Sequence, residues 1–324
     1  MSEASSSRVL HCDAKNCLIV VLIALLAWCS LRGQHAPSYP ATLEALPAPK
    51  ESGVAVDFAA ASFAGQSTEQ RGEVRRAIHA AQTAVAAKFG IKMGNTGESA
   101  LQTEGLADLV ERYSPGSGTG ATTLCEVGVN VGHSAATLAT ASGASEYIGF
   151  DYGAPTPAHV RAGLEQLAKA LPHLRVTLEL GDSTATLPAF FASNSSVVCD
   201  VWHIDGGHDG LFPEKDFQNA RAMARPDGQT LVIFDDCGSS TEWGVMPFLT
   251  YKRGIRQHTI TEIDGIDALE VGNRRSCVAR MMPGEGWVEG SLVLEWSPQK
   301  GWYESDQPPD ALSNAGAAAL SPRV

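Results

Sequence analysis

The chain has 324 residues, enough for one large α/β domain with appendages. A formal net charge of −12 without any Lys/Arg cluster excludes the basic face with which a nucleic-acid binder neutralises phosphates. Hydrophobic residues make up 44%, as in a globular fold, and the seven cysteines show neither a CxxC nor a Cys/His ligand spacing, which argues against a zinc site or a disulfide framework.

Residues 1–16 read as an N-terminal tail, and residues 17–31, CLIVVLIALLAWCSL, follow without one charge. At 1.5 Å per residue the run spans about 22 Å, against a hydrocarbon core of ~30 Å. It reads either as a signal anchor in a thin membrane, such as that of the endoplasmic reticulum or Golgi, or as a cleaved signal peptide with Ala27 and Cys29 near the cleavage site. The expectation is a single-pass membrane protein held through residues 17–31, with secretion after cleavage as the alternative. Arg8 and Lys15 precede the run and Arg32 and Lys50 follow it, so charge leaves orientation open. Residues 32–65 have no helical period and read as a linker, and residues 297–324, with QPPD and an Ala-rich end, read as a disordered tail.

The domain proper is therefore 66–296, and its elements alternate. Helices are predicted over 68–89, closed by Gly90, and over about 99–113. Then come strand 122–128, helix 133–141, strand 146–152, helix 157–171, strand 175–181 and helix 184–192. Strand 197–205, helix 213–225 and strand 230–236 complete the alternation, followed by helix 242–252 and strands near 257–263, 276–282 and 290–296. Short apolar strands separated by helices predict a doubly wound, Rossmann-like α/β fold: a mostly parallel sheet with helices on both faces and an antiparallel close. Cys125 and Cys199 fall in apolar strands and are expected to be inert core thiols, while a Cys237–Cys277 pair stays open.

In such a sheet ligands bind at the carboxyl ends of the strands, and every parallel strand here ends in an acid. The tips are Glu126-Val-Gly128-Val-Asn-Val-Gly132, Asp151, Gly181-Asp182-Ser183, Asp205-Gly-Gly-His208 and Asp235-Asp236. A buried carboxylate is costly unless paired, hydrogen-bonded or metal-bound, so five acidic tips point to a site. Gly128 and Gly132 let a cofactor approach the backbone at a helix N-terminus, although a tight β–α turn alone would also use them. Asp151 lies 23 residues after Gly128, the distance at which an acid on strand two holds ribose hydroxyls. A dinucleotide fingerprint would place Gly at 130, where this chain has Asn130, and Glu126 suits a cationic methionine better than a pyrophosphate.

The runs CEVGVNVGHSA, GFDYG, GDS, DVWHIDGGHD and LVIFDD resemble class I S-adenosylmethionine-dependent methyltransferases. The IDGGH element is similar to the branch of sugar and small-molecule O-methyltransferases of the tylosin sugar methyltransferase type. The resemblance covers about 122–236 well and its flanks loosely. It implies a cofactor site of Glu126, Gly128, Gly132, Asp151, Asp182, Ser183 and Asp205, with the last also contributing to catalysis. It implies a divalent ion such as Mg²⁺ on Asp205, Asp235 and Asp236, and His208 as the base that takes the acceptor proton. The chemistry agrees, because a hydroxyl is a poor nucleophile until it is deprotonated or metal-bound. The expected partner is a small-molecule or sugar acceptor, which the sequence does not name, and neither does it set the oligomeric state.

Plainer readings stand beside these. His203 is expected to be a hydrogen-bonded core histidine, His133 opens a helix beside the cofactor turn, and Trp202 is expected in the core. Trp243 is the best candidate for an acceptor wall, with Trp287 a further one. Two rival functions are a membrane-anchored glycosyltransferase, which fits the Glu126–Gly132 turn and Asp151 poorly, and a non-catalytic scaffold of methyltransferase type.

Overall fold

The computed structural model describes residues 66–92, 99–116, 122–238, 244–263, 266, 268–271, 274–286, 294–297 and 301–304. Helices α1 (Thr68–Phe89) and α2 (Ala100–Tyr113) precede the sheet. Ser67 caps α1 by accepting from the Gln70 amide while the Gln70 side chain returns to the Ser67 amide, and left-handed Gly90 ends the helix. The parallel region then runs β1 (Thr123–Val127), α3 (His133–Ser142), β2 (Glu146–Asp151), α4 (Pro157–Ala170), β3 (Arg175–Leu180), α5 (Ser183–Ser193), β4 (Val201–Ile204), α6 (Phe212–Arg221) and β5 (Thr230–Phe234). Helix α7 (Val245–Arg256) leads into β6 (Ile260–Glu262), β7 (Ala268–Val271) and β8 (Arg274–Met281).

The eight strands form one sheet in the order β3-β2-β1-β4-β5-β8-β6, with β7 also on β8. Strands β1 to β5 are parallel, and β8 closes the sheet antiparallel to β5. This is the predicted doubly wound α/β architecture. The order reverses between β1 and β4, and the carboxyl ends of these strands open the crevice where such sheets bind ligands. Alternation along β1 and β4 sends Leu124 and Val201 to one core and Cys125, Val127 and Trp202 to the other, so both faces are covered. Trp202 is fully buried and stacks on Phe150, as expected.

Four expectations differ from what is found. No helix among the described residues is long and apolar enough to cross a membrane. The single-pass membrane protein, with its anchor, bilayer contact and endoplasmic reticulum or Golgi placement, is corrected accordingly; residues 17–31 themselves lie outside the described residues. The physical reason was already in the length, about 22 Å against ~30 Å. Second, Cys125 is not a free thiol: it is bonded to Cys199, and Cys237 to Cys277. Each bridge joins a strand cysteine, Cys125 on β1 or Cys277 on β8, to one just outside the neighbouring strand, Cys199 before β4 or Cys237 after β5, with Cα atoms 5.9 and 5.5 Å apart, well within bridging distance. Third, the strand expected near 290–296 does not close the main sheet. It is β9 (Leu294–Ser297), and it pairs antiparallel with β10 (Gly301–Glu304) in a separate two-stranded sheet. Fourth, β10 lies in what was read as a tail, because four residues are too few to show an alternation.

Candidate functional site

The first turn is shaped by sterics. Gly128 has φ 89°, and a Cβ there would lie 1.9 Å from the Asp205 carbonyl oxygen, so only glycine lets β1 and β4 end side by side. Asn130 follows in the left-handed region at φ 53°. Gly132, at φ 86°, is the N-cap of α3; its carbonyl accepts from Gln82, 2.9 Å away on α1. Helix α4 presses on the turn from behind, since a Cβ on Gly163 would meet the Val131 carbonyl oxygen at 2.1 Å.

Asp151 ties this turn to β2. One carboxylate oxygen accepts from the amides of Val129 (2.9 Å) and Asn130 (2.8 Å), and the other from Gly153 (2.6 Å). Three of its four lone pairs are thus occupied, so Asp151 organises the turn first and has one position left for a ribose hydroxyl.

A cavity of about 820 Å³ opens on these strand ends, lined by Gly128, Asn130, Asp151, Asp182, Ser183, Asp205, His208 and Asp236. Residues that the sequence did not single out complete it: Gly90 to Lys92 after α1, Tyr152 and Pro155 after β2, and Phe212 at the start of α6. Tyr152 and Phe212 are exposed aromatics, a type that ordinarily belongs inside, and their place on the cavity wall gives them a use. Asp182 caps α5, accepting from the amide (2.9 Å) and hydroxyl (2.7 Å) of Thr184. His208 Nε2 lies 3.3 Å from Asp205 Oδ1.

Not every predicted residue reaches the cavity. Glu126 is buried on the other side of β1, where its carboxylate accepts from the Tyr147 hydroxyl and lies 2.8 Å from His203 Nδ1. Gly149 makes that contact possible, since a Cβ there would lie 3.0 Å from the Tyr147 hydroxyl. Glu126 is therefore corrected from a cofactor contact to a buried anchor: it sits inside β1, in register with Gly149 and His203 and held by Tyr147 and His203, while Val127 and Gly128 at the strand's end line the cavity. Gly132 likewise shapes the turn without lining the cavity. His133 packs against His79, its Nε2 3.1 Å from the Thr83 hydroxyl, on the α1 side. Trp243 and Trp287 lie outside the described residues.

The three expected metal ligands do not form one group. Two groups converge among the described residues, each with ligand atoms within 4.8 Å of one another: His203, Asp205 and Asp235, and Asp205, His208 and Asp236. The reason is local. Asp235 is buried and accepts from Ser276 Oγ at 2.7 Å, whereas Asp236, at φ 47°, turns the next side chain to the cavity. The acids perturb one another. Burial and the Asp235 charge push Asp205 up to about 7, against the opposing influence of His208 and His203. Burial lowers His203, but Glu126, Asp205 and Asp235 outweigh it and raise the imidazole to about 9.

Residues 125–237 match the family model described as a methyltransferase domain. Curated proteins yield no match. Among solved structures, a Klebsiella pneumoniae protein assigned as an O-methyltransferase is 19% identical, with 64% of this chain and 90% of that one covered and a TM-score of 0.48. The O-methyltransferase from Bacillus cereus in complex with SAH is 18% identical, covering 67% and 92%, with a TM-score of 0.47. The calicheamicin methyltransferase CalS11 is 16% identical, covering 70% and 98%, with a TM-score of 0.40. The family match lies over the strands that build the cavity.

Proposed function

We propose that the cavity binds S-adenosylmethionine and that the domain, over about residues 66–296, methylates a hydroxyl of a small molecule or sugar. The carrying observation is the pairing of His208 with Asp205 at 3.3 Å on the wall of a cavity whose other end is the glycine turn fastened by Asp151. The residues present fit the cofactor. Gly128 leaves the backbone bare, Asp151 keeps one acceptor position for the ribose, and Asp182 and Ser183 stand beside the space where the adenine would lie. When bound, the cofactor supplies a methyl group on a sulfonium, open to in-line displacement.

The protein's own contribution is positioning and proton transfer. Nε2 of His208 faces Asp205, which orients the imidazole as the group that takes the acceptor's hydroxyl proton. With the cofactor and an acceptor bound, the Asp205 carboxylate would steady the imidazolium left on His208 once the hydroxyl has given up its proton. Tyr152 and Phe212 offer flat faces to the adenine or to an acceptor ring. Incubation with methyl-labelled S-adenosylmethionine and a panel of phenols, catechols and sugar nucleotides tests the reading. Label should move to at least one hydroxyl of the panel and stay behind when His208 is alanine. Transfer only to amines or carboxylates would contradict it.

A further inference from the structure

The charges lining the cavity are one-sided. Asp151, Asp182, Asp205 and Asp236 all line it, whereas Lys92 is the one lysine or arginine among its described lining residues. Lys92 is exposed, and its side chain makes neither an ion pair nor a hydrogen bond among the described residues. Its place is built into the fold. Helix α1 ends on left-handed Gly90, whose amide donates to the Ala87 carbonyl at 3.2 Å while the Ile91 amide donates to that of Ala86 at 2.9 Å. This closure fixes the direction in which the chain leaves the helix towards Lys92. Gln82 of the same helix is fully buried and donates to the carbonyl oxygens of Gly132 (2.9 Å) and Gly163 (3.4 Å), and the Phe89 ring lies 6.5 Å from that of His159. One helix thus braces the glycine turn and delivers Lys92 to the cavity that this turn lines.

S-adenosylmethionine carries an ammonium and a sulfonium, which suit a cavity of carboxylates, and a carboxylate, which those same acids repel. An anion in that setting needs a cation, and a lysine ammonium on its flexible stem is suited to reach one. We propose that Lys92 is the counter-ion of the cofactor's carboxylate. The amino-acid end of the cofactor then lies on the α1 side of the cavity, and its ribose at Asp151. The inference rests on the S-adenosylmethionine reading and deepens it by naming the group that recognises the amino-acid end. An acceptor bearing an anion is the other source of the same charge, and the experiment separates the two.

The test uses two probes that differ only in that carboxylate, S-adenosylmethionine and its decarboxylated form, in calorimetry on the full chain at low salt. The parent should bind S-adenosylmethionine at least about tenfold more tightly than the decarboxylated form. Lys92→Met, which keeps the stem and removes the charge, should lose about tenfold in S-adenosylmethionine affinity and stay within about twofold for the decarboxylated form. Lys92→Arg should recover most of the loss. Equal weakening of both probes in Lys92→Met would make the residue a structural support and overturn the inference. Parental affinity for both probes overturns it too, and a KM that then rises only for acceptors bearing a carboxylate or phosphate assigns Lys92 to the acceptor. A parent that binds neither probe contradicts the cofactor reading itself, whereas a parent that binds both, with no change in Lys92→Met, contradicts Lys92 alone.

Discussion

At the scale of single residues, direction decides role. Asp205, Asp235 and Asp236 are equally acidic in the sequence, yet one lines the cavity floor, one is buried against Ser276, and one is swung outward by a positive φ. Their presence at strand tips was legible; their aim was not, because it depends on backbone angles just past the strand ends. The same holds for His203, which reads as a core histidine until Glu126 is found at its Nδ1 and two carboxylates opposite. His208→Ala should lower kcat by ~10²–10⁴-fold with the panel's best acceptor while S-adenosylmethionine affinity stays within about threefold. A parallel loss of cofactor binding would instead make His208 part of the cofactor site. Asp216, on α6 and fully buried, offers a pH test. Burial pushes it up from 3.8 to about 7, with Ser183 and His208 opposing and Asp182 adding. The folded chain holds this proton more tightly than the unfolded one, so the contribution is full below pH 3.8 and is lost as pH rises through about 7. Asp216→Asn should therefore gain roughly 1–3 kcal/mol over the parent above pH 7, and the gain should vanish towards pH 4 in urea titrations at both pH values.

At the scale of elements, the strand–helix alternation was readable because it repeats over 123–234 with apolar strands and capped helices. What escaped were short elements without a period: β7, with four residues, and β10, whose partner was assigned to the wrong sheet. Strand β4 was read as 197–205 but spans only Val201–Ile204, with Cys199 joined to Ala224 by an isolated bridge. The turn after β1 is the element on which the site hangs. Gly128→Ala would drive a Cβ to 1.9 Å from the Asp205 carbonyl at φ 89°. It should cost at least about 2 kcal/mol and displace both β1 and β4 tips, so cofactor binding should fall with stability. A variant of parental stability in chemical denaturation would show that the turn can be rebuilt.

At the scale of the whole molecule, two disulfides fasten β1 to the start of β4 and the β5 tip to β8, closing chain segments of 74 and 40 residues. Sequence alone could not pair these cysteines, since pairing follows from strand order and not from spacing. Mass mapping of the unreduced chain should recover Cys125–Cys199 and Cys237–Cys277 as cross-linked peptides, and reduction should lower stability by about 2–4 kcal/mol per bridge. Free thiols at these four positions in the native protein would contradict the pairing. The central claim is that the strand-end cavity is an S-adenosylmethionine site. A calorimetric titration of the full chain with S-adenosylmethionine, beside Asp151→Ala, tests it most directly. One cofactor should bind per chain, at least about tenfold more weakly to the variant, because the carboxylate orders the turn through three backbone amides and, on the proposed reading, would meet the ribose. No heat of binding to the folded parent, or equal affinity in a folded Asp151→Ala, would contradict it.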